Sequence, residues 1–142
     1  RNGEWLDPKT ARPGVSAVNA ATGEVLWSHL QENVCGEGRP FCDPGVSAAI
    51  TATDGAVIAG HLDGIIRIYD RDSGEIIWSY NTTKPVTGTN GVVAQGGGMS
   101  GSGPALGAGH MVINSGYGLY NHEAGNALLV FAPKASGSVS AR

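Results

Sequence analysis

Two stretches of sequence, 51 residues apart, decide the fold of this chain. Residues 68–79 read IYDRDSGEIIWS, and residues 17–28 read AVNAATGEVLWS. Gly, Glu, Trp and Ser recur at the same positions, and four other positions keep their chemical type. Self-similarity at a fixed period of this length is the signature of a repeat protein.

Each copy predicts a β-hairpin that carries a large aromatic anchor. A short polar side chain begins the turn because it can hydrogen-bond the backbone two residues further on. A glycine four residues later supplies the positive φ that ends the turn. A tryptophan follows on the second strand and is large enough to reach a neighbouring sheet. These residues are Asn19, Gly23 and Trp27 in the first copy, and Asp70, Gly74 and Trp78 in the second.

Further apolar stretches extend the repeat to a four-stranded unit. Predicted strands over residues 46–52 and 56–59 precede the second hairpin, so that four strands follow one another in an up-and-down sheet. The same order recurs downstream in predicted strands over residues 104–108, 111–115 and 126–131. Ser136-Gly137 then echoes the turn, but no tryptophan follows it. The innermost strands of each unit are rich in Gly and Ala, which suits the crowded axis of a propeller.

The chain is therefore predicted to be all-β, as a fragment of a β-propeller with about two and a half four-stranded antiparallel blades. We expect half a blade over residues 15–28, a full blade over 46–80 and a partial blade over 104–132. These lie within a partial propeller of residues 1–133. Residues 134–142 are expected to form a tail or a last strand.

Composition narrows the classes of function. Of the 142 residues 41% are hydrophobic, 15% are charged and 23 are Gly, and the net charge is −3. This balance is too apolar for a disordered chain. The chain has no basic run, which argues against nucleic acid as a partner. No apolar run approaches the roughly 18 residues of a membrane helix, so no membrane span is predicted. Because the chain begins with Arg1, we expect a processed or truncated product.

The two cysteines, Cys35 and Cys42, bracket a short loop that contains two Gly and one Pro. A disulfide between them would stabilise the fold by about 2.5 kcal/mol on the loop-entropy relation. The alternatives are two free thiols, or a zinc site, which lacks two further ligands at finger spacing. A disulfide favours a periplasmic or extracellular location.

The repeat resembles that of a known family. Residues 54–60 (DGAVIAG), 63–64, 68–70, 73–75 and Trp78 are similar to the blade repeat of dehydrogenases that use pyrroloquinoline quinone (PQQ). The segments 22–27 and 73–78 resemble that family's tryptophan-docking motif, in which the tryptophan stacks between adjacent blades. Loops at residues 45–52, 96–104 and 112–118 resemble those of polyvinyl-alcohol dehydrogenase-like quinoproteins, of which this chain looks like a C-terminal fragment.

The resemblance implies an eight-bladed propeller with PQQ on its axis, a calcium ion beside the quinone, and oxidation of small or polymeric alcohols by hydride transfer. It also implies a cytochrome c that accepts the electrons. The chain has no Cys-x-x-Cys-His motif, so it carries no covalent haem. Two and a half blades cannot close a ring, so the remaining blades must belong to another chain, to a longer precursor or to further copies. The fragment alone is expected to be inactive.

Three longer connections, over residues 29–44, 81–103 and 115–125, are predicted on one face of the propeller, which suggests that this face is functional. Within the second connection, Gly97, Met99 and Ser100 are candidate cofactor-binding residues, because glycines let backbone N–H groups approach a ligand closely. The alternative is a flexible linker between blades.

The third connection supplies polar and aromatic candidates. Asn114 and Tyr117 are predicted to bond or stack on the quinone or the substrate, and Tyr120, Asn121 and His122 lie beside them. The alternative is a turn that packs over the blade.

Metal and acid–base candidates are sparse. Asp63 is a weak candidate for a calcium ligand, and Asp70 a weaker one, because both occupy turn positions where Asp is common. His61 and His110 are expected at surface or edge positions. No catalytic residue can be identified, and the catalytic base is expected on the missing blades.

Two classes of function remain open. The first is part of a PQQ-dependent alcohol dehydrogenase. The second is a non-catalytic propeller that acts as a scaffold or binds proteins. A third alternative is a subunit that completes an oligomer.

Overall fold

The computed structural model describes residues 12–117 and 120–133, which contain strands and no helix. The predicted all-β class is confirmed. No helix in this part of the chain is long and apolar enough to cross a membrane. The strands are β1 (Gly14–Val18), β2 (Val25–Leu30), β3 (Thr51–Ala52), β4 (Ala56–Gly60), β5 (Ile65–Asp70), β6 (Ile76–Asn81), β7 (Val86–Thr87), β8 (Val93–Ala94), β9 (Ala105–Gly107), β10 (His110–Ser115) and β11 (Ala127–Phe131).

Within the described ranges the strands form four antiparallel sheets that follow chain order. The first hairpin pairs β1 with β2, the central sheet has the order β3-β4-β5-β6, and the last sheet has the order β11-β10-β9. A small separate hairpin pairs β7 with β8. The two, four and three strands expected from the repeat are present in three of these sheets, and the small hairpin is additional.

The innermost strands are shorter than the sequence predicts. The expected strand over 46–52 is reduced to Thr51–Ala52, and the one over 104–108 to Ala105–Gly107. Backbone groups ahead of β3 bond neighbouring loops instead of β4: the Gly45 carbonyl oxygen accepts from the Leu62 N–H at 2.9 Å. The Pro104 carbonyl oxygen accepts from the Thr51 hydroxyl, which links the two inner segments.

The hairpin β7–β8 was not predicted, although its turn has a sequence signal. Asn90-Gly91 is a favoured turn pair between apolar residues. Gly91 adopts a φ of 77°, and the Asn90 side chain accepts from the Val92 N–H at 3.1 Å. The predicted turn at Ser136-Gly137 and the tail over 134–142 lie outside the described residues.

The two copies of the repeat form the same turn. The Asn19 side-chain oxygen accepts from the backbone N–H of Ala21 and Thr22, and the Asp70 carboxylate accepts from those of Asp72 and Ser73. These bonds, the Ser73 backbone N–H first, hold the pKa of Asp70 below its usual value. Gly23 and Gly74 have φ values of 75° and 74°. The local chemistry of each turn therefore repeats with the sequence.

Each repeat tryptophan reaches the sheet that follows it. The Trp27 indole N–H donates to the Arg71 carbonyl oxygen at 2.7 Å, and its ring stacks on Tyr69 with centroids 6.4 Å apart. Trp78 meets Phe131 of β11 edge-to-face, with centroids 5.5 Å apart. Tyr69 and Phe131 occupy equivalent places on β5 and β11. Tyr69 is paired with the second residue of β4, and Phe131 is paired with the second residue of β10.

Strands β4 and β5 of the central sheet are buried on both faces, whereas β6 is largely exposed. On one face the first hairpin covers them through a cluster of Val15, Val57, Ala59 and Tyr69. On the other face the last sheet covers them through a second cluster, whose members are Ile58, Ile66, Met99, Met111 and Ile113. Full burial of an aliphatic side chain of this size contributes about 1.5–3 kcal/mol relative to exposure. Apolar burial on both faces is thus what stacks the three sheets.

Candidate functional site on the loop face

Three connections converge at one end of the stacked sheets, which we call the loop face. They are the disulfide loop (residues 31–44), the glycine loop (95–103) and the third loop (116–126). The Gly98 N–H donates to the Glu123 carbonyl oxygen at 2.8 Å, and the Glu123 N–H donates to the Phe41 carbonyl oxygen at 2.9 Å. Arg39 forms an ion pair with Glu123 and donates to the Asp63 carbonyl oxygen at 3.0 Å. The three loops therefore form one bonded layer.

The predicted disulfide is confirmed. Cys35 and Cys42 are bonded, with their Cα atoms 5.6 Å apart, and neither cysteine is free. The Asn33 side chain accepts from the Cys35 N–H at 3.0 Å, which orders the entry to the loop. The bond fixes Phe41 and Arg39 where they meet the third loop.

The glycine loop is packed by its backbone. The N–H groups of Gly96, Gly97, Gly98 and Met99 donate within the fold, to Thr82, Ser115, Glu123 and His61 respectively. A Cβ atom at Gly97 would lie well inside contact distance of the Glu123 and Ala124 carbonyl oxygens. The glycines are needed because the loops approach backbone to backbone, which disfavours the alternative of a flexible linker.

Two of the predicted cofactor-binding residues have packing roles. The backbone N–H of Gly97 is already bonded to Ser115 Oγ at 3.1 Å. Met99 is 2% exposed and belongs to the second apolar cluster. A direct contact of either residue with a quinone stays a prediction, and the burial of both residues leaves little surface for it.

The other three candidates keep groups that a ligand would use. The Ser100 hydroxyl oxygen is buried and has no hydrogen-bond partner in the described part of the structure. Asn114 is half-buried, and its side-chain oxygen has one long contact of 3.5 Å with the Ser102 hydroxyl. Tyr117 is 56% exposed at the edge of the third loop. The loop face thus offers a buried hydroxyl without a partner, a half-free amide and an exposed ring, which are the kinds of group that contact the polar rim and planar body of a quinone.

A buried polar cluster underlies the loop face, and the sequence analysis did not predict it. It joins residues that lie far apart in the chain, namely Gln31, His61, Asp63, Arg67 and Tyr69. His61 is 0% exposed, so its expected surface or edge position is wrong. Burial, and then the nearby Arg67 charge, lower the pKa of His61 to about 4. Burial raises the pKa of Tyr69 to about 12. Both groups are therefore neutral at pH 7.

Asp63 does not fit a calcium ion. Its carboxylate accepts two hydrogen bonds from the Arg67 guanidinium, at 3.1 and 2.7 Å, and one from the Gln31 amide at 2.7 Å. The Ile65 N–H supplies a fourth bond at 3.0 Å. No group of three or more His, Cys, Asp or Glu side chains in residues 12–117 and 120–133 has the geometry of a metal site. The Asp63 carboxylate, the predicted calcium ligand, is thus already paired with the Arg67 charge. The Asp70 carboxylate accepts hydrogen bonds within its own turn.

The remaining loop residues lie at the junction of the disulfide loop and the third loop. His122 is buried, and its Nδ1 atom lies 3.7 Å from an Asp43 carboxylate oxygen without a hydrogen bond. Phe41, Tyr120 and Asn121 adopt left-handed backbones, with φ values of 64°, 68° and 58°. Such conformations are costly for aromatic residues and mark a strained junction. His110 is exposed on β10, away from these loops, as expected.

An open apolar cleft of about 750 Å³ lies elsewhere, between the central and last sheets. Trp78, Phe131 and Pro133 are among its lining residues, and none of the loop-face candidates is. Its walls offer few polar groups, so it does not supply the polar contacts that a quinone needs.

Stacked antiparallel sheets with a repeated hairpin and a tryptophan anchored on the next sheet define a β-propeller repeat protein. The chain belongs to the family described as PQQ_2, outer membrane protein assembly factor BamB, which matches residues 9–137. The predicted resemblance to PQQ-type repeats and the predicted propeller fragment are confirmed.

The individual relatives are alcohol dehydrogenases by name. A polyvinylalcohol dehydrogenase of Sphingopyxis sp. (strain 113P3) is 38% identical over 117 residues, which cover 80% of this chain and 18% of that protein. A polyvinylalcohol dehydrogenase of Pseudomonas sp. is 34% identical over 134 residues, which cover 87% of this chain and 21% of that protein. A quinohemoprotein alcohol dehydrogenase, ADH IIB, of Pseudomonas putida is 35% identical over 71 residues, or 50% of this chain and 10% of that protein. The chain spans about a fifth of the polyvinylalcohol dehydrogenases that it matches.

Proposed function

We propose that this chain is one part of a PQQ-dependent alcohol dehydrogenase and that its loop face covers the quinone in the complete propeller. The observation that carries the proposal is the buried Ser100 hydroxyl without a hydrogen-bond partner, which follows directly on four backbone N–H groups, of residues 96–99, that are all bonded within the fold. The similarity to polyvinylalcohol dehydrogenases over most of the chain supports the same reaction class.

When bound, PQQ supplies the electron acceptor, which takes a hydride from the carbinol carbon of the alcohol. The residues of this chain bind and orient. The Ser100 hydroxyl donates a hydrogen bond to an oxygen of the ligand, and the Asn114 amide offers a second polar contact. The Tyr117 ring lies against a planar or hydrocarbon surface. Each contact of this kind is worth about 1 kcal/mol, so the chain contributes part of the binding site and the other blades contribute the rest.

The remaining parts of the proposal concern the complete protein. Calcium, if it accompanies the quinone, is held by residues of the other blades, because the described residues offer no ligand set. A cytochrome c would accept the electrons. The Cys35–Cys42 disulfide supports a periplasmic or extracellular location, since disulfides persist in oxidising compartments.

The test is alcohol-dependent dye reduction by the complete protein that carries this chain, reconstituted with PQQ and calcium. Polyvinyl alcohol and a short secondary alcohol are the substrates. We expect turnover that requires PQQ, and a five- to tenfold loss of kcat/KM in Tyr117→Ala. The control is Ser16→Ala, a change on the first hairpin far from the loop face. No alcohol-dependent turnover in the unmodified protein would reject the proposal.

A second function is favoured by a different observation. Three aromatic residues, Phe41, Tyr117 and Tyr120, are more than half exposed on the loop layer, which suits a protein-binding surface. The family description itself is that of an assembly factor. A non-catalytic scaffold predicts that saturating PQQ leaves the melting temperature of the complete protein unchanged. A rise of several degrees would favour the dehydrogenase instead.

A further inference from the structure

A histidine and an aspartate face each other where the disulfide loop meets the third loop. His122 Nδ1 lies 3.7 Å from a carboxylate oxygen of Asp43, the residue that follows Cys42. The Glu123 N–H donates to the Phe41 carbonyl oxygen at 2.9 Å, so a backbone hydrogen bond joins the two loops beside this pair. The two loops therefore hold the imidazole and the carboxylate next to each other.

The two ring nitrogens of His122 have different surroundings. Nδ1 is buried and has no hydrogen-bond partner among the described residues. Nε2 forms no hydrogen bond with these residues either, but it is not buried, so it is the polar atom that the ring presents at the surface. Only 4% of the side chain is exposed, which restricts contact to a small group such as a hydroxyl.

The Asp43 carboxylate decides which nitrogen of a neutral His122 carries the proton. With the proton on Nδ1, an N–H lies beside a negative charge, and Nε2 is left bare to accept a proton. With the proton on Nε2, the buried Nδ1 lone pair would face the carboxylate, which is unfavourable. Glu123, the next residue, is paired with Arg39, so Asp43 is the carboxylate that acts on the ring. The 3.7 Å separation is longer than a hydrogen bond, and catalytic contacts are often long until the substrate binds.

The backbone on both sides of the pair is strained. Four non-glycine residues in the described ranges have a left-handed backbone, and three of them, Phe41, Tyr120 and Asn121, lie within two residues of Asp43 or His122. Each such conformation costs about 1–3 kcal/mol and persists only where the surrounding structure enforces it. Strain of this kind clusters at active sites and ligand clamps, which singles out this junction on the loop face.

The glycine loop brings the pair next to the proposed quinone contact. A Cβ atom at Gly98 would lie 3.1 Å from His122 Cβ, so the glycine loop packs directly on the histidine. Ser100, whose buried hydroxyl has no partner in the described part of the structure, follows Gly98 by two residues. The candidate base and the candidate quinone contact therefore belong to one local site.

We propose that His122 is the general base of the alcohol oxidation and that Asp43 positions it, an inference that rests on the proposed function. The alcohol O–H bond breaks and gives its proton to Nε2 of His122, while the C–H bond of the carbinol carbon breaks as well. The hydrogen of that carbon leaves with the bonding electron pair to the bound quinone, which is the oxidant, and the C=O bond of the product forms. Asp43 accepts from Nδ1–H and stabilises the imidazolium, whose proton is then released to solvent. The base thus lies on this chain and not on the other blades, where it was expected from the sequence.

The tautomer of His122 tests the pair without quinone or substrate. In the 142-residue chain labelled with ¹⁵N-histidine, the His122 signals among the four histidines are those lost in His122→Gln. At pH 8 we expect the proton on Nδ1, and a shift toward the Nε2–H tautomer in Asp43→Asn because the amide can donate to Nδ1. Asp54→Asn, at an exposed aspartate, is the matched control and should change nothing. An Nε2–H tautomer in the unmodified chain, or an unchanged tautomer in Asp43→Asn, would overturn the positioning role.

The kinetics of the complete protein, loaded with PQQ and calcium, test the base itself. We expect His122→Gln to lower kcat about 10²–10⁴-fold and Asp43→Asn about tenfold or more, with KM and the affinity for PQQ nearly unchanged. Melting temperature and a spectroscopic PQQ titration show that each variant is folded and loaded. His110→Gln, at an exposed histidine on β10, is the matched control and should retain full kcat.

The outcomes separate this inference from the proposed function. Turnover in the unmodified protein with a kcat within about threefold of it in His122→Gln would reject the base and leave the proposed function standing. If His122→Gln does not fold, the same result in Asp43→Asn rejects the inference, because that change keeps the ring in place. No turnover in the unmodified protein would reject the proposed function and the base together, while the tautomer of His122 would still decide whether Asp43 positions the ring.

Discussion

The contact between Trp27 and Gly74 shows how one repeat is fastened to the next at the scale of single residues. Gly74 has a positive φ, as its turn requires, and the Trp27 ring lies over it at the distance where a side chain would begin. The indole N–H then reaches the Arg71 carbonyl oxygen. Gly74 thus has two roles: its positive φ permits the turn, and its lack of a side chain leaves room for the tryptophan ring of the preceding hairpin.

Two alanine substitutions separate these purposes. Gly23 and Gly74 have nearly the same φ, but a Cβ atom at Gly23 meets nothing within 4 Å, whereas one at Gly74 would lie 2.5 Å from Trp27 Cε3. We expect Gly23→Ala to cost about 1 kcal/mol from left-handed strain, and Gly74→Ala to cost about 1–3 kcal/mol more from overpacking. Urea unfolding of both variants measures the difference. Equal losses would show that the close packing of Trp27 on Gly74 contributes nothing to stability.

Ser115 is the residue that ties the glycine loop to the last sheet. Its hydroxyl accepts from the Gly97 N–H at 3.1 Å, donates to the Gly97 carbonyl oxygen at 2.8 Å and lies 2.7 Å from the Thr82 hydroxyl. Ser115→Ala leaves a buried N–H unsatisfied, so we expect a loss of about 1–3 kcal/mol in unfolding free energy. Ser16→Ala removes an exposed contact and should cost under about 0.5 kcal/mol. A neutral Ser115→Ala would contradict the backbone-packing account of the loop.

At the scale of secondary-structure elements, local chemistry made the hairpins predictable. Asn19 and Asp70 form the turns that their side chains favour, and the tryptophans follow in register. The inner strands were predicted too long because backbone groups beside them bond elsewhere: the Gly45 carbonyl oxygen accepts from the Leu62 N–H, and the Pro104 carbonyl oxygen accepts from the Thr51 side chain. Nothing in the local sequence reports such partners.

The glycine loop was the least predictable element, because a run of glycines fits a linker, a ligand cradle or a close backbone approach. Only the third loop, about 25 residues later in the chain, decides among these, through the Glu123 and Ala124 carbonyl oxygens. The buried cluster was missed for the same reason, since Gln31 and His61 are 30 residues apart. Arg67, a charged residue between two isoleucines on β5, was the one sequence signal that a buried partner exists.

A pair of substitutions tests the packing role of this loop. Gly97→Ala would drive a methyl group into the backbone of the third loop, so we expect a loss of several kcal/mol or a failure to fold. Gly101→Ala, in the same loop, meets nothing within 4 Å and has no positive φ. It should be neutral or stabilise by about 0.5 kcal/mol. Thermal melting distinguishes the two, and a tolerated Gly97→Ala would mean that the loop is not held as described.

The stability of the disulfide loop should depend on the Cys35–Cys42 bond. The cysteines are 7 residues apart, and the loop-entropy relation gives about 2.5 kcal/mol for a loop of this size. Replacing both cysteines by serine should lower the unfolding free energy by that order and loosen Arg39 from Glu123. The Gly45 N–H also donates a hydrogen bond to the Gln31 side-chain oxygen across the base of the loop, at 2.9 Å. A loss below about 0.5 kcal/mol on removing the disulfide would indicate that this hydrogen bond is enough to hold the loop.

At the scale of the whole molecule, the two end sheets leave apolar faces uncovered. Leu128 and Val130 are 67% and 60% exposed on β11, and Val18, Leu26 and Leu30 are more than half exposed on the first hairpin. Strands β4 and β5 of the central sheet, by contrast, are covered on both sides. Since the chain spans about a fifth of its polyvinylalcohol dehydrogenase relatives, we expect neighbouring blades of a complete propeller to cover both faces.

We propose that the loop face of this chain binds PQQ within that propeller through the Ser100 hydroxyl. This claim is tested most directly by a spectroscopic titration of the complete protein with PQQ, comparing the unmodified protein with Ser100→Ala and Ser102→Ala. We predict saturable binding, about five- to tenfold weaker in Ser100→Ala because one buried hydrogen bond is lost, and unchanged in Ser102→Ala. Absence of saturable binding, or equal affinity in Ser100→Ala and the unmodified protein, would contradict the claim.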